Sequence, residues 1–147
     1  MVTIAYHTAG QDEALRQALE RNGQRLTEQR AEVYRFLRGT REHPTADEVF
    51  TSVRARLPDI SLATVYKALE TLVSCRLALK LSFGDGSGRY DARTDDHCHS
   101  RCLACGSVRD VPGPDLCGLL GGLDDPDGFR VEGVSMEVIG YCPECRP

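Results

Sequence analysis

The chain contains no tryptophan, and five tyrosines with four phenylalanines bring aromatics to only 6% of its 147 residues. Proteins that grip single-stranded nucleic acid do so by stacking bases on rings, so the scarcity of rings makes that class a poor prospect. No apolar run approaches the ~18 residues of a membrane span. Arg16, Glu20 and Arg21 break the first periodic segment. The opening Met1-Val2-Thr3-Ile4-Ala5-Tyr6 lacks a basic stretch followed by an apolar one, so no export signal is read and a cytoplasmic protein is expected. Also missing is an even cysteine count. Seven thiols do not close into a disulfide framework, and without export they point to metal binding or redox chemistry.

The net charge of −4 is unevenly divided. Residues 1–82 carry 12 basic and 10 acidic side chains; residues 83–147 carry 6 and 12. Phosphates are repelled by the second part, so any nucleic-acid contact is expected from the first.

That first part reads as helices. Glu13 to Arg21 places Ala14, Leu15, Ala18 and Leu19 at helical spacing before a stop at Asn22-Gly23. Thr27 caps a second helix with Ala31, Val33, Phe36 and Leu37 facing inward, ending near Gly39. Thr45-Ala46-Asp47-Glu48 is a capping box; its helix buries Val49, Phe50, Val53 and Leu57 and stops before Pro58. After a short turn Ser61 caps a fourth helix, which hides Leu62, Val65, Leu69, Leu72 and Val73. Ala63, Thr64, Tyr66, Lys67 and Thr71 lie on its other faces. Two helices joined by a tight turn, the second with small and polar groups near its start, suit a helix-turn-helix that inserts this second helix into the major groove. Leu77 to Phe83 and Arg89 to Arg93 read as the strands of a wing around a Gly-rich loop. The pattern by itself also allows a helical bundle with no nucleic-acid role.

The second part carries two Cys-x-x-Cys knuckles, Cys102/Cys105 and Cys142/Cys145. Four thiolates complete a tetrahedral zinc site with no open position, which makes that zinc structural rather than catalytic. A dithiol redox pair needs a knuckle at a helix N-terminus, and neither knuckle opens a helix. His97-Cys98-His99 alternates as on a strand, so the two imidazoles share a face. With Asp91, Asp110 and His43 these form a supply of nitrogen and oxygen donors suited to Fe(II), Mn(II) or Zn(II). Taken singly, Asp91 reads equally as a turn carboxylate, His43 as a solvated residue before Pro44, and Asp110 as a surface charge. Between the knuckles, Ser107 to Val111 and Phe129 to Ile139 read as strands, and Pro112 to Leu123 as a short helix weakened by three glycines. Their apolar surface exceeds what so small a unit covers, so a homodimer is expected.

Four stretches carry a resemblance: Gly23-Gln-Arg-Leu-Thr-Glu-Gln-Arg30, His43-Pro-Thr-Ala-Asp-Glu48, Ser61-Leu-Ala-Thr-Val-Tyr-Lys67 and His97-x-His99-x-x-Cys102-x-x-Cys105-Gly106, completed by Cys142-x-x-Cys145. In this order the chain resembles the ferric uptake regulator superfamily over nearly its whole length. The resemblance implies an α+β protein: a winged-helix DNA-binding domain with hinge over residues 1–93, and an α/β dimerisation and metal-binding domain over residues 94–147. It implies a metal-dependent repressor, not an enzyme, acting as a homodimer on a palindromic double-stranded DNA operator. Motif by motif, the regulatory ligands fall on His43, Asp91, His97, His99 and Asp110, the two-aspartate, three-histidine set of the peroxide-sensing branch, which uses Fe(II) or Mn(II). The structural zinc falls on Cys102, Cys105, Cys142 and Cys145. Phosphate contacts are expected from Arg25 and Arg30, and base or phosphate contacts from Thr64, Tyr66 and Lys67; Arg30 has a rival role in a buried carboxylate pair, and Tyr66 one in packing.

The rival readings are an iron-, manganese- or zinc-responsive uptake regulator and, more remotely, a zinc-ribbon enzyme. The iron-uptake branch favours glutamates and a later histidine, and no histidine follows His99. A deaminase needs His-x-Glu beside Pro-Cys-x-x-Cys, which is missing. Arg76 stands where the family often has glycine. Cys75, Cys98 and Cys117 are extra thiols, expected as small core hydrophobes, with Cys98 the candidate for an additional ligand or oxidation site.

Overall fold

The computed structural model describes residues 9–83, 86–95, 97–112, 128–129 and 136–147. The chain divides into two compact units, Met1–Thr94 and Asp95–Pro147.

The first unit is a winged helix: α1 (Ala9–Arg21), α2 (Glu28–Gly39), α3 (Ala46–Val53), α4 (Leu62–Ser74), β1 (Leu79–Ser82) and β2 (Gly88–Asp91). Its helices begin where the polar caps stand. Thr27 accepts from the Arg30 amide, Ser61 from the Thr64 amide, and Thr45 with Glu48 forms the full reciprocal capping box. α1 ends at Gly23, whose φ of 69° lets its amide reach the Glu20 carbonyl and that of Gln24 reach Leu19, both at 2.9 Å. Leu15, Leu19, Val33, Leu37, Val49, Val53, Val65, Leu69, Leu72 and Tyr90 form one buried core. Each large aliphatic side chain there contributes about 1.5–3 kcal/mol.

Three expectations shift. Ala14 is exposed, because only the narrow stripe of Leu15 and Leu19 is covered. Phe36, Phe50, Leu57, Leu62 and Val73 are half-buried, and Ala68 takes a core place instead. α3 stops at Val53; the chain reaches Leu57 through a turn closed by Leu57 N–H to Val53 O at 3.0 Å. Glu32, which no periodicity assigns inward, is 9% exposed; it pairs with Arg35 and Arg56, each at 3.1 Å. Arg35 also holds Asp12 at 2.6 Å, so one charged chain joins α1, α2 and the segment after α3.

α4 closes on Arg76 at φ 58°, with Leu77 N–H to Leu72 O at 2.9 Å. This is the left-handed cap that glycine adopts without strain, here made by a residue with a Cβ. Arg76→Gly is therefore expected to stabilise the unit by about 1 kcal/mol, read in thermal denaturation as a rise of roughly 4–8 °C. β1 and β2 pair antiparallel with Leu79 opposite Asp91. Lys80 on the wing holds Glu70 of α4 at 2.7 Å, and the Tyr90 hydroxyl donates to the same carboxylate at 3.3 Å. The Lys80 hydrogen bond holds the Glu70 carboxyl below its ordinary range.

The second unit is a three-stranded sheet in the order β4-β3-β5, with β3 (Cys98–Cys102), β4 (Val108–Val111) and β5 (Glu137–Gly140). β3 and β4 are antiparallel with His99 opposite Asp110. β5 runs parallel to β3, with His99 opposite Glu137 and Cys102 opposite Gly140. Phe129, expected in a strand, lies in none and is 74% exposed. The rest of that expected strand before Met136, the short helix beginning at Pro112, and Cys117 fall outside the described residues. Cys75 and Cys98 are buried as small hydrophobes, and Cys98 Sγ lies 3.9 Å from Met136 Sδ.

Candidate metal centres and nucleic-acid face

The two knuckles meet because parallel pairing sets the end of β3 beside the end of β5. Leu103 N–H donates to Gly140 O at 2.7 Å, which brings the Cys142 turn alongside Cys102. The first knuckle closes with Gly106 N–H to Cys102 O at 2.9 Å; Gly106 takes φ 71°, a conformation that favours glycine. The second closes with Cys145 N–H to Cys142 O at 3.0 Å. All four sulfurs lie within 4.8 Å of one another, and Cys105 and Cys142 Sγ stand 3.9 Å apart. A tetrahedral ion with 2.3 Å bonds to sulfur requires edges of about 3.8 Å, so the cluster fits zinc. The Cys105 and Cys142 amides pointing at its sulfur hold the Cys102 thiol down at about 6. Cys145, surrounded by the thiols of Cys142 and Cys105, is pushed up to about 12. The Ser107 hydroxyl and amide lower the Cys105 thiol as well, so the two sulfurs of the first knuckle favour the thiolate, while Cys145 gives up its proton only as a cation arrives.

The nitrogen and oxygen donors form one group in each unit. In the first unit His43 and Asp91, 3% and 7% exposed, bring Nε2 and Oδ2 to 3.5 Å. His43 stands in the loop before α3, which β2 secures through Tyr90 N–H to Pro44 O at 2.9 Å and Arg89 Nη1 to His43 O at 2.9 Å. Asp91 Oδ1 accepts the Arg93 amide at 2.7 Å, which turns Oδ2 toward the imidazole. In the second unit His97 Nε2 lies 3.0 Å and His99 Nε2 3.8 Å from Asp110 Oδ1. The two rings have centroids 4.4 Å apart. His97 Nδ1 meets Asp95 O at 2.6 Å; donating there leaves Nε2 as a lone pair aimed at the carboxylate, the tautomer a metal ligand needs. Imidazoles with carboxylates match divalent iron or manganese better than a soft thiolate-seeking ion. Asp91 and His43, each with a dull reading in the sequence, are buried partners, and Asp110, a third exposed, faces both imidazoles of the second unit.

On the helical unit Arg25, Arg30, Thr64 and Lys67 line one open groove of about 620 Å³ with Gln24, Thr27 and Gln29. Tyr66 does not line it; at 43% exposure it stands outward on α4, away from packing. Arg30 is partly committed to the fold. It donates to Arg25 O, Gln24 Oε1 and Thr71 Oγ1 at 2.6, 3.0 and 3.3 Å, using neutral acceptors in place of the carboxylate weighed as a rival. Sequence reasoning missed Arg89 and the glutamines of the groove. The signal for Arg89 was present, because strand alternation puts it on the same face as Asp91.

The ferric uptake regulator family matches residues 21–139. The peroxide operon regulator of Bacillus subtilis is 35% identical over 136 residues, covering 88% of this chain and 89% of that one. Among solved structures, the Helicobacter pylori ferric uptake regulator, described with three functional metal-binding sites, superposes with a TM-score of 0.77. It is 25% identical, over 95% of this chain and 94% of that one. The Campylobacter jejuni peroxide stress regulator gives 0.69 and 27% identity over 95% and 100% of the two chains.

Proposed function

The chain belongs to the ferric uptake regulator family, and from that membership we propose that it is a peroxide-responsive, metal-dependent repressor rather than an enzyme. Regulators of this family are DNA-binding dimers. Here DNA binding is assigned to residues 1–93, and dimerisation with metal binding to residues 94–147. The reading is carried by the donor set. His43 with Asp91, and His97 and His99 with Asp110, are two ready ligand groups built of the aspartates and histidines expected of a peroxide sensor.

In the proposal all five side chains serve one regulatory cation, and the four cysteines hold a structural zinc. When bound, Fe(II) would supply the one-electron chemistry that opens hydrogen peroxide to reaction without being consumed overall, whereas Mn(II) would occupy the same ligands without that reactivity. His43 and His97 are the residues assigned to be oxidised. The ring gives up two electrons: the O–O bond breaks, one oxygen replaces the hydrogen of a ring carbon, the other oxygen leaves as water, and the altered ring no longer serves as a donor. Because His43 stands directly before α3, its engagement biases the orientation of the helix-turn-helix, and its loss releases the operator.

The apolar edge offered by Val138 and Ile139 of β5, both exposed, supports a homodimer. A palindromic operator follows from two-fold symmetry. No helix among the described residues is long and apolar enough to cross a membrane, which fits the proposed cytoplasmic site of action. Arg25, Arg30, Thr64, Tyr66 and Lys67 are assigned to the DNA. Arg25→Ala should weaken binding evenly across sequences and lower the log–log salt slope by about 0.9 per protomer, measured in a DNA titration at several salt concentrations. A titration with Fe(II), Mn(II) and Zn(II), each with and without peroxide, tests the function as a whole.

A further inference from the structure

β2 touches both helices of the reader as well as a regulatory ligand. Its three consecutive residues Arg89, Tyr90 and Asp91 reach respectively the His43 carbonyl, Glu70 of α4 and the His43 imidazole. The Arg89 contact is the informative one. The Nη1 that donates to His43 O at 2.9 Å also faces Glu48 Oε2 at 3.6 Å. That carboxylate oxygen accepts the Thr45 amide at 2.7 Å and the Thr45 hydroxyl at 3.2 Å, as half of the capping box that starts α3. One guanidinium therefore holds the main chain of a metal ligand and the N-cap of the first reader helix, two residues further on.

The arrangement is poorly suited to a merely structural purpose. The Arg89 side chain is only 14% exposed, and its Nε is buried without a hydrogen-bond partner among the described residues. A methionine would cover the same surface with no stranded donor. What the guanidinium adds is direction. With the ring of His43 facing Asp91 and its carbonyl held by Arg89, a pull on the ring passes through two residues of tethered backbone into Thr45.

We propose that Arg89, with Glu48, is the positioning residue that carries occupancy at His43 and Asp91 into helix α3, acting on the metal response rather than on metal affinity. This rests on the proposed regulatory site. The test uses the full-length protein with its structural zinc, Mn(II) alone as probe, and amide hydrogen exchange as readout. In the wild type, Mn(II) slows exchange across α3 by about tenfold. Arg89→Met and Glu48→Gln bind Mn(II) within about threefold of wild type and leave the metal-free melting temperature nearly unchanged, yet lose most of that slowing. Arg89→Lys restores part of it. Full slowing retained in both variants overturns the inference, as does Mn(II) binding lost together with the response. A large fall in metal-free melting temperature in both variants overturns it too, because the role is then structural. Failure of the wild type itself to bind Mn(II) strikes the regulatory site, and is distinguished because it precedes any comparison of variants.

Discussion

Cys142→Ser is expected to strip the zinc, unfold the sheet unit and abolish dimerisation and operator binding together. A knuckle serine removes one of four bonds from a site whose assembly supplies on the order of 10 kcal/mol or more of folding free energy, comparable to the stability of a whole small domain. Among the described residues the unit has little other support: β4-β3-β5 is short, and Val138, Ile139 and Tyr141 are exposed. Loss of one zinc per chain by metal analysis, a monomer in sedimentation and no operator shift would together meet the expectation. A dimer that still binds DNA without zinc would refute it. Acid should reproduce the effect. With Cys102 held down near 6, zinc displaces few protons from it at neutral pH. As pH falls through that value the thiolate is lost and one more proton must be expelled, so zinc affinity declines more steeply below about 6 than above it.

The second large effect concerns the sensor. Asp91→Ala should lower Fe(II) and Mn(II) affinity by on the order of a hundredfold and remove the metal-dependent gain in DNA affinity, a coupling of about 5–150-fold in allosteric proteins generally. Wild-type protein loaded with Fe(II) and given dilute peroxide should lose its operator and gain one oxygen on a peptide holding His43 or His97. The Mn(II) form should do neither. Intact imidazoles with all modification on cysteine would end the histidine account. Metal binding with indifference to peroxide would leave an uptake regulator on the same fold.

Capping and spacing made much of this readable beforehand. Thr27, Thr45 and Ser61 state where helices start by local chemistry, and the structure starts them there. The Cys-x-x-Cys repeat announces its own geometry, because two thiolates three residues apart converge without help from the rest of the chain. What sequence left open depends on distant partners. Periodicity gives a residue's angle on its helix but not how wide a stripe the neighbours cover, which is why Ala14 is exposed and Phe36 only half-buried. Nothing in the periodicity turns Glu32 inward, and its second partner, Arg56, lies 24 positions away. His43 and Asp91 are separated by 48 residues, and a resemblance, rather than any local pattern, linked them before geometry did. For Arg89, strand alternation gave the face it shares with Asp91, but not its acceptor, a main-chain oxygen 46 residues away.

A last consequence follows from the five residues of β3. His99 lies near one end and Cys102 at the other, and the parallel neighbour β5 runs straight into the second pair of thiols. Sliding β5 by a single position would carry Cys142 about 3.3 Å, far outside bonding reach of a shared ion. The sulfur cluster thus works as a registry pin: it forbids every strand alignment but one and so fixes the footing on which the imidazoles are aimed. An oxidant strong enough to consume those thiolates would blind the detector by dismantling its mount, an outcome separable from true signalling because zinc would leave with the response while His43 and His97 kept their mass.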